Sequence, residues 1–359
     1  GIAIAEELVD RGHKCSLVVS RKRVDARLIK NYPNLEFCEA PGAPFAWHPV
    51  KLLKFIWVQM TAFAFALKLL GKIKPDLILG FGGFVTAGIA LPGYMKGIPF
   101  ALHEANRVVG RSNRILSRFA DRIFLPDAVS LPGMKPERTQ FAGLPLRREF
   151  TPVAREDAFH RLGITPAGKL LVVFGGSQGA SALNQWAEEN IQRFAEKGVS
   201  LYCLTGLNKS MPPEVQTRTS TQDIVPSWFV PFSDSMPAVL SAADAVVSRA
   251  GAGSIGEIIR CRVPAILIPY PFARDDHQTA NAAYVADRGA ARVLQETQLS
   301  SLFDEVNDLL FQDEISSRMR EDQARLDRPE EARLIVDALQ DMIPDKHQRN
   351  QVTLRQTET

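Results

Sequence analysis

Short apolar segments alternate along this chain with longer segments of helical periodicity. The apolar segments of the first half are CSLVV, PDLILGFGG, IPFALHE and DRIFLP, and those of the second half are KLLVVFGG, SLYCLTG, IVPSWFV, ADAVVSRAG and VPAILIPY. Alternation of this kind is typical of parallel sheets built from β-α-β units. The pattern therefore predicts an α/β protein with two doubly wound halves.

The pattern restarts near AGLPLRREF, residues 142–150. The chain has 359 residues, which is the length of about two domains. We predict an N-terminal domain over residues 1–146 and a C-terminal domain over residues 147–328. A helix over 329–343 is expected to return to the first domain. The tail, residues 344–359, has almost no apolar content, which predicts disorder.

The net charge of +3 conceals a difference between the two halves. Residues 1–150 contain 22 Lys and Arg against 12 Asp and Glu, whereas the remaining 209 residues contain 21 against 28. An anionic partner is therefore expected on the first half, and an ordinary solvated basic surface is the alternative. Nucleic acid is not the expected partner, because the basic residues are not interleaved with stacking aromatic residues.

Three transitions from a predicted strand to a predicted helix contain closely spaced glycines. They are GFGGFVTAG (80–88), FGGSQGA (174–180) and SRAGAGSIGE (248–257). Backbone N–H groups and the helix dipole at such a transition favour a phosphate. The first of the three nearly matches the dinucleotide fingerprint, but Val85 occupies the third Gly or Ala position. An NAD-dependent dehydrogenase with Glu104 as ribose ligand is therefore an alternative.

Polar residues of the third transition and of a later strand exit, PYPFARDDHQTANA (269–282), are candidates for binding a nucleotide-sugar. Glu257 follows the third glycine loop by one turn and could accept hydrogen bonds from two adjacent ribose hydroxyls, or be an ordinary first-turn glutamate. Gln278 and Asn281 share a predicted helix face and could reach sugar hydroxyls. No metal site is expected: the side chains of 275–277 point in different directions, and the four cysteines are widely spaced.

Seven motifs in this chain occur in an order that resembles the MurG family. They are GGFVTAG, HEAN (103–106), GLPLR (143–147), GGSQGA (175–180), FSDSM (232–236), SRAGAGSIGE (248–257) and DDHQTANA (275–282). The similarity extends from about residue 1 to about residue 341. It implies a GT-B fold, in which two Rossmann-like doubly wound parallel-sheet domains face a cleft.

The resemblance also implies an inverting, metal-independent glycosyltransferase with no cofactor. Such an enzyme moves GlcNAc from UDP-GlcNAc to lipid I, the undecaprenyl-diphosphate-linked MurNAc-pentapeptide. The product is lipid II, which connects the enzyme to peptidoglycan synthesis, cell shape and cell division. The implied location is the cytoplasmic face of the bacterial plasma membrane, as a peripheral protein. A GT-B glycosyltransferase with another acceptor and a non-catalytic nucleotide-sugar-binding protein are the alternatives.

Roles for residues that would bind the nucleotide follow from the same resemblance. Arg147 and Ser177 would contact the diphosphate region, and the backbone near Phe232 and Ser233 would bind the uracil. Glu257 would hold the ribose. The implied diphosphate-capping loop comprises Ala252, Gly253, Ser254, Ile255 and Gly256.

Further residues are implied to bind the sugar and the acceptor. Gln278 would hold GlcNAc hydroxyls beside His277, and Asn106 would contact the sugar from the first domain across the cleft. The acceptor diphosphate would lie at glycine loops that contain Gly82, Gly83, Gly175 and Gly176.

The general base has no clear candidate in this sequence. The chain begins with GIAIAEELVD, whose apolar positions predict a helix that should follow a strand. In the MurG family that strand and a glycine loop with a His, a candidate base, would come earlier. We therefore expect these residues to bind UDP but to turn over lipid I poorly, with His103 or Glu104 as alternative bases.

The segment from 47 to 74 is apolar, with lysines at both ends. Its charge-free stretch, residues 55–67, has 13 positions, fewer than the roughly 18–20 that a membrane span needs. We expect an interfacial helix on an anionic membrane surface, with a core helix as the alternative. The residues at helical spacing are Leu53, Trp57, Met60, Ala64 and Leu67, and those implied to face lipid are Lys51, Lys54, Phe55 and Trp57.

Overall fold

A computed structural model describes residues 1–20, 31–41, 49–176, 180–206 and 212–343, without the side chains of residues 49–56. The chain divides into two compact units. Unit 1 comprises residues 1–105, 109–145 and the segment from Glu330 onward, and unit 2 comprises residues 106–108 and 146–329. Residues 106–108 therefore group with unit 2, which differs from the predicted division. The tail predicted to be disordered, residues 344–359, lies outside the described residues.

Unit 1 contains two parallel sheets flanked by helices. The sheets have the orders β1-β2 and β3-β4-β5-β6. The elements are α1 (Ile2–Asp10), β1 (Ser16–Ser20), β2 (Glu36–Ala40), α2 (Pro49–Ile73), β3 (Ile78–Gly80), α3 (Gly83–Met95), β4 (Phe100–His103), α4 (Arg111–Leu116), β5 (Arg122–Leu125) and β6 (Thr139–Phe141).

The four-stranded sheet of unit 1 has a core on each face because successive strand side chains point in opposite directions. Phe100 and Leu102 of β4 pack into one core, and Ala101 between them packs into the other. Every residue of β4 is buried. This burial on both faces explains why IPFALHE is a continuous apolar segment rather than an alternating one.

Unit 2 is built on a seven-stranded sheet with the order β13-β12-β11-β7-β8-β10-β9, in which β9 is antiparallel to β10 and the other pairs are parallel. Its elements are α5 (Arg155–Leu162), β7 (Lys169–Phe174), α6 (Ser181–Ala195), β8 (Val199–Leu204), β9 (Glu214–Arg218), β10 (Ile224–Val230), α7 (Met236–Ala242), β11 (Ala245–Ser248), α8 (Ala252–Cys261), β12 (Ala265–Leu267), α9 (His277–Ala286), β13 (Arg292–Val293), α10 (Leu302–Phe311) and α11 (Asp313–Leu326).

The direction in which the chain builds this sheet reverses between β7 and β11. From β7 the chain adds β8 and β10 on one side, and it then returns to add β11, β12 and β13 on the other. Leu170 and Val172 of β7 face one core, and Leu171 and Val173 face the other, so both faces are covered. In doubly wound sheets a ligand binds where the strand order reverses.

The last described helix, α12 (Glu331–Gln340), belongs to unit 1. Its buried residues Ile335 and Leu339 pack with Ile4 of α1. Arg122 Nη1 donates a hydrogen bond to the carbonyl of Ala338 at 2.8 Å. The chain thus returns to its first unit after completing the second.

Candidate functional site

Two glycine-containing loops leave the sheet of unit 2 side by side. Phe174, the last residue of β7, is in register with Ser248, the last residue of β11, and the two strands are parallel. The loops that follow therefore begin at the same edge of the sheet, where the strand order reverses. Gly176 has a φ of 81°, a left-handed conformation that favours glycine. Residues 177–179, which include Ser177, lie outside the described part of the chain.

The second loop leads into the N-terminus of α8. Gly251 is the N-cap, and the helix begins with the hydrogen bond from Ile255 N to Gly251 O at 3.0 Å. Because glycine has no side chain, the N-cap residue cannot cap the first N–H groups of the helix. A Cβ atom added at Gly253 would meet nothing within 4 Å, so the first turn is open. The first turn of α8 is therefore suited to an anion.

Arg249 anchors this loop at the point where it leaves β11, a role that sequence reasoning missed. Its side chain is buried, and its Nη1 donates to the carbonyls of Ile268 and Pro269, each at 3.3 Å. Its Nη2 forms an ion pair with Glu296. These contacts join the end of β11 to the segment that follows β12. The sequence signal that could have indicated this role is an arginine directly after an apolar strand.

Glu257 lies one turn into α8, and its carboxylate is 3.9 Å from Arg147 Nη2. Arg147 Nη1 also contacts Glu149, at 2.9 Å. Burial raises the pKa of Glu257 to about 7, while Arg147 lowers it and Glu149 raises it. The structure thus brings Arg147 and Glu257 together and leaves the carboxyl partly protonated near neutral pH.

Asn106 lies beside the first turns of α9. Its Oδ1 accepts a hydrogen bond from Asn281 Nδ2 at 3.1 Å. Gln278 Oε1 accepts a hydrogen bond from the backbone N of Tyr270 at 2.9 Å. His277 Nδ1 lies 2.7 Å from the carbonyl of Arg274. The three residues predicted to bind the sugar therefore either lie on α9, as His277 and Gln278 do, or are hydrogen-bonded to it, as Asn106 is.

The segment after β10 contains Phe232, which is exposed, and Ser233. Ser233 Oγ accepts a hydrogen bond from the backbone N of Ser235 at 3.2 Å. Burial raises the pKa of Tyr202, and a hydrogen bond with the Ser233 side chain lowers it. The candidate uracil segment is therefore anchored to β8 through Ser233.

The two candidate bases of unit 1 are both buried and hydrogen-bonded. His103 Nε2 lies 3.1 Å from the carbonyl of Gly143, which can only accept, so Nε2 carries the proton. Burial lowers the pKa of His103 to about 4. Glu104 Oε2 accepts hydrogen bonds from Gly110 N and Asn113 Nδ2, both at 2.9 Å. These contacts give both side chains a role in holding the loops around β4.

The candidate acceptor loop of unit 1 is held at the N-terminus of α3. Gly82 and Gly83 have φ values of 84° and 76°. Thr86 Oγ1 donates to the Gly82 carbonyl at 2.7 Å, and Ser112 Oγ donates to the Gly83 carbonyl at 2.9 Å. A Cβ atom at Gly82 would lie 2.9 Å from Asn113 Oδ1, so this position requires glycine for space as well as for conformation.

Helix α2 exposes most of the apolar stripe predicted from the sequence. Trp57 and Met60 are 68% and 64% exposed, and Ala64 and Leu67 are exposed as well. The buried face is a different one: the small residues Ala62 and Ala66, together with Leu70, pack against α3. Lys51, Leu53, Lys54 and Phe55 have side chains outside the described part.

None of the helices in the described ranges combines the length and apolar character required to cross a bilayer. No group of three or more His, Cys, Asp or Glu side chains in those ranges is arranged to hold a metal ion.

Comparison with known proteins finds similarity in both sequence and structure. Residues 1–125 match the glycosyltransferase family 28 N-terminal domain, and residues 170–337 match the glycosyltransferase family 28 C-terminal domain. The chain is 45% identical over 342 residues to the "UDP-N-acetylglucosamine--N-acetylmuramyl-(pentapeptide) pyrophosphoryl-undecaprenol N-acetylglucosamine transferase" of Opitutus terrae, a match that covers 95% of this chain and 91% of that protein. It is 30% identical over 349 residues to the protein of the same name from Myxococcus xanthus, covering 96% and 89% of the two chains.

Among solved structures, the chain is similar to the crystal structure of Acinetobacter baumannii MurG. The TM-score is 0.66 at 24% sequence identity, and the match covers 95% of this chain and 94% of that one. This similarity shows the fold.

Proposed function

This chain belongs to the MurG family of family 28 glycosyltransferases, and we propose that it performs the reaction for which its curated relatives are named. That reaction transfers N-acetylglucosamine from its UDP conjugate to the N-acetylmuramyl-pentapeptide of pyrophosphoryl-undecaprenol. The family membership confirms the predicted resemblance, and the similarity in structure confirms the predicted GT-B fold. The family membership also rules out the alternative function, an NAD-dependent dehydrogenase, which the near-match of residues 80–88 to the dinucleotide fingerprint left open.

The observation that carries the proposal is the arrangement at the reversal of strand order in unit 2. An open helix N-terminus and a carboxylate one turn further along the same helix suit the two parts of a nucleoside diphosphate. The N–H groups of the first turn of α8 would bind the diphosphate, and Glu257 would accept hydrogen bonds from the ribose hydroxyls. Arg147, which contacts Glu257, would add positive charge near the diphosphate.

The same arrangement suits the chemistry of the transfer. When the bond between the sugar and the diphosphate breaks, negative charge grows on UDP. N–H groups and a helix dipole that already point at the diphosphate stabilise this charge without reorganising. The resemblance alone assigns Ser177 to the same region. It also implies that the acceptor hydroxyl attacks with inversion at the sugar.

We assign the acceptor diphosphate to the loop around Gly82 and Gly83 of unit 1, whereas the role of Gly175 and Gly176 stays an expectation from the resemblance alone. Support for the unit 1 loop comes from the hydrogen bonds of Thr86 and Ser112, which fix the carbonyls and hence the N–H directions of the loop. The acceptor lipid would bring the protein to the cytoplasmic face of a bacterial plasma membrane. Its product would enter peptidoglycan synthesis and so affect cell shape and division.

The exposed stripe of α2 supports contact with that membrane. Trp57 and Met60 lie on a face that unit 1 leaves open, and Lys68 and Lys72 are exposed near the end of the same helix. An apolar face beside lysines is typical of helices that lie in the interface of anionic bilayers. We therefore propose a peripheral protein bound through α2.

A transfer assay with the purified protein tests the function. Labelled UDP-GlcNAc is incubated for a long period with a lipid I analogue or with lipid acceptors that lack the muramyl-pentapeptide, and transfer is expected for the lipid I analogue alone, at the low rate predicted from the sequence. Transfer to the other acceptors would indicate a different GT-B glycosyltransferase. Binding of UDP-GlcNAc in calorimetric titration, without transfer to any acceptor, would favour a non-catalytic nucleotide-sugar-binding protein.

A further inference from the structure

Arg147, Glu149 and Phe150 belong to one compact turn of unit 2. The backbone N–H of Phe150 donates to the Arg147 carbonyl at 2.9 Å, and that of Thr151 donates to the Glu149 carbonyl at 2.8 Å. The side chain of Phe150 is buried in a core of unit 2, which attaches the turn firmly to this unit. The turn therefore holds the backbones of Arg147 and Glu149 in a fixed relation to each other.

Two side-chain contacts attach the Arg147 guanidinium to this turn. Its Nη1 forms an ion pair with Glu149 Oε1 at 2.9 Å, which is hydrogen-bond distance. Its Cζ lies 5.0 Å from the centroid of the Phe150 ring, within reach of a cation–π interaction. By contrast, Nη2 lies 3.9 Å from Glu257 Oε1, which is too long for a hydrogen bond. The guanidinium thus stays with its own turn and stops short of the carboxylate on α8.

A closed ion pair between Arg147 and Glu257 would work against nucleotide binding. The proposed function uses the carboxylate as an acceptor for the ribose hydroxyls and the guanidinium as a positive charge near the diphosphate. A bidentate pair would occupy the carboxylate oxygens and neutralise both charges. The two side chains are only 27% and 20% exposed, so solvent would weaken such a pair little. Glu149, which makes the shorter contact with Arg147, opposes this closure.

The helices packed against α8 contribute little charge near Glu257. Helix α7 packs against α8 and contains no titratable residue. Helix α11 packs against α8 as well, and Asp327, which follows α11, is paired with Arg260 at 2.8 Å. Cys261, one turn after Glu257, is neutral because burial raises its pKa to about 12. The turn that carries Arg147 therefore supplies the charges that act on Glu257.

Glu149 acts on the Glu257 carboxyl in two ways that have the same direction. Burial has the largest effect and raises the pKa of Glu257, Arg147 lowers it, and the negative charge of Glu149 raises it. By holding the guanidinium, Glu149 also limits how far Arg147 can lower that pKa. Removal of the Glu149 carboxylate should therefore favour both the ionised form of Glu257 and a closer contact with Arg147.

We propose that Glu149 is a positioning residue for nucleotide binding, an inference that rests on the proposed function. It keeps the Arg147 guanidinium out of hydrogen-bond contact with Glu257, so that the guanidinium and the carboxylate remain separately available to the diphosphate and the ribose. Glu149 does not contact the nucleotide in this role. Its loss should change both the strength of nucleotide binding and the dependence of binding on pH.

Calorimetric titration of the full chain with UDP-GlcNAc at about pH 6 and about pH 8 tests this role. UDP-GlcNAc is the better ligand because its diphosphate, unlike the terminal phosphate of UDP, does not titrate near pH 6. In the wild type, the affinity at pH 8 should exceed that at pH 6 about tenfold, as follows from a pKa of about 7 for Glu257. Glu149→Gln should reduce this ratio to about threefold and weaken binding at pH 8 about threefold, because Arg147 then pairs with Glu257.

Three further chains separate this role from a general effect on structure. Glu149→Asp keeps the negative charge and should restore the wild-type ratio. Glu156→Gln removes the charge of an exposed glutamate in the same unit and should leave the ratio and the affinity unchanged. In a chain that carries Glu257→Gln, adding Glu149→Gln should not alter the pH dependence, because Glu149 acts on it through Glu257.

Glu149→Ala removes the same carboxylate at a partly exposed position and keeps the test decisive if Glu149→Gln fails to fold. A folded variant with the wild-type ratio contradicts the positioning role, even if its binding is weaker, because a purely structural role does not change the pH dependence. A wild-type affinity that is equal at both pH values contradicts the role as well. A wild-type protein that binds no UDP-GlcNAc at either pH contradicts the proposed function, and the inference with it.

Discussion

Arg147 Nη2 lies 3.9 Å from the carboxylate of Glu257, and Arg147 Nη1 lies 2.9 Å from that of Glu149. One guanidinium therefore serves two carboxylates, and the more buried of them has the longer contact. Coulomb attraction at that distance only partly offsets the loss of hydration, which is why burial dominates and the pKa of Glu257 is raised to about 7. This pair leads to the first two predictions.

Glu257→Ala should weaken UDP by about 1.5–3 kcal/mol, because the ribose hydroxyls lose a charge-assisted acceptor. Calorimetric titration with UDP measures the change. Glu188→Ala is the control, since Glu188 is an exposed glutamate of α6 and should leave the affinity unchanged. Equal affinities of wild-type protein and Glu257→Ala would contradict the assignment of Glu257 to the ribose.

The affinity for UDP-GlcNAc should fall as the pH is lowered below about 7. The ionised carboxylate is the better acceptor, so the ligand should lower the pKa of Glu257 and release a proton on binding. Each pH unit below the pKa of the free protein then weakens binding by up to about tenfold, and the affinity levels off above it. Titrations between about pH 5.5 and 8 in buffers of different ionisation enthalpy measure both effects. In Glu257→Gln both should disappear, and a wild-type affinity that is constant with pH would speak against the prediction.

Arg249→Met should destabilise the protein by about 3–5 kcal/mol. The substitution leaves the carboxylate of Glu296 without its ion pair and removes the donors to two backbone carbonyls. Urea denaturation measures the loss. Arg333→Met is the matched control because Arg333 forms an ion pair with Glu330 in which both side chains are exposed, and such a pair should contribute only about 0–1 kcal/mol. Equal changes for the two variants would show that Arg249 does not anchor the loop.

Binding to vesicles should increase with the fraction of anionic lipid and decrease with salt. A lysine near an anionic surface contributes about 1 kcal/mol, and salt screens this contribution. The double substitution Trp57→Ser and Met60→Ser should weaken co-sedimentation further, because both exposed side chains lose their apolar contact with lipid. Ile224→Ser, at an exposed apolar residue on β10 of unit 2, is the control and should not change vesicle binding. Circular dichroism checks that each variant is folded. Unchanged binding of the folded double variant would argue against α2 as the membrane face.

The central strands of both units could be predicted from the sequence, whereas four of the six edge strands in the described residues could not. β4, β7 and β11 are buried on both faces, so their segments are continuously apolar. The strands without a predicted segment, β2, β6, β9 and β13, all lie at an edge of their sheet. An edge strand is partly exposed and carries polar residues such as those of EVQTR, so its sequence resembles that of a loop.

Helix α2 shows what periodicity leaves undecided. A stripe of apolar residues at helical spacing is compatible with a core face and with a lipid face. Packing decided between them in unit 1: the small residues Ala62 and Ala66 allow close approach to α3, and that face is the buried one. The larger residues Trp57 and Met60 are left exposed as a consequence.

By itself, the sequence determined the fold class, the glycine loops that precede helices and the family, because these depend on local spacing and on the order of motifs along the chain. Only the tertiary structure decided how Arg147 is shared by Glu149 and Glu257, and which way the amide of Asn106 points. Asn106 and Asn281 are separated by 175 positions along the chain. The orientation of their side-chain amides is set by the backbone N–H of Arg107 and the backbone carbonyl of Ala250. Such contacts cannot be predicted from the spacing of residues along the chain, because they form only when distant segments fold onto one another.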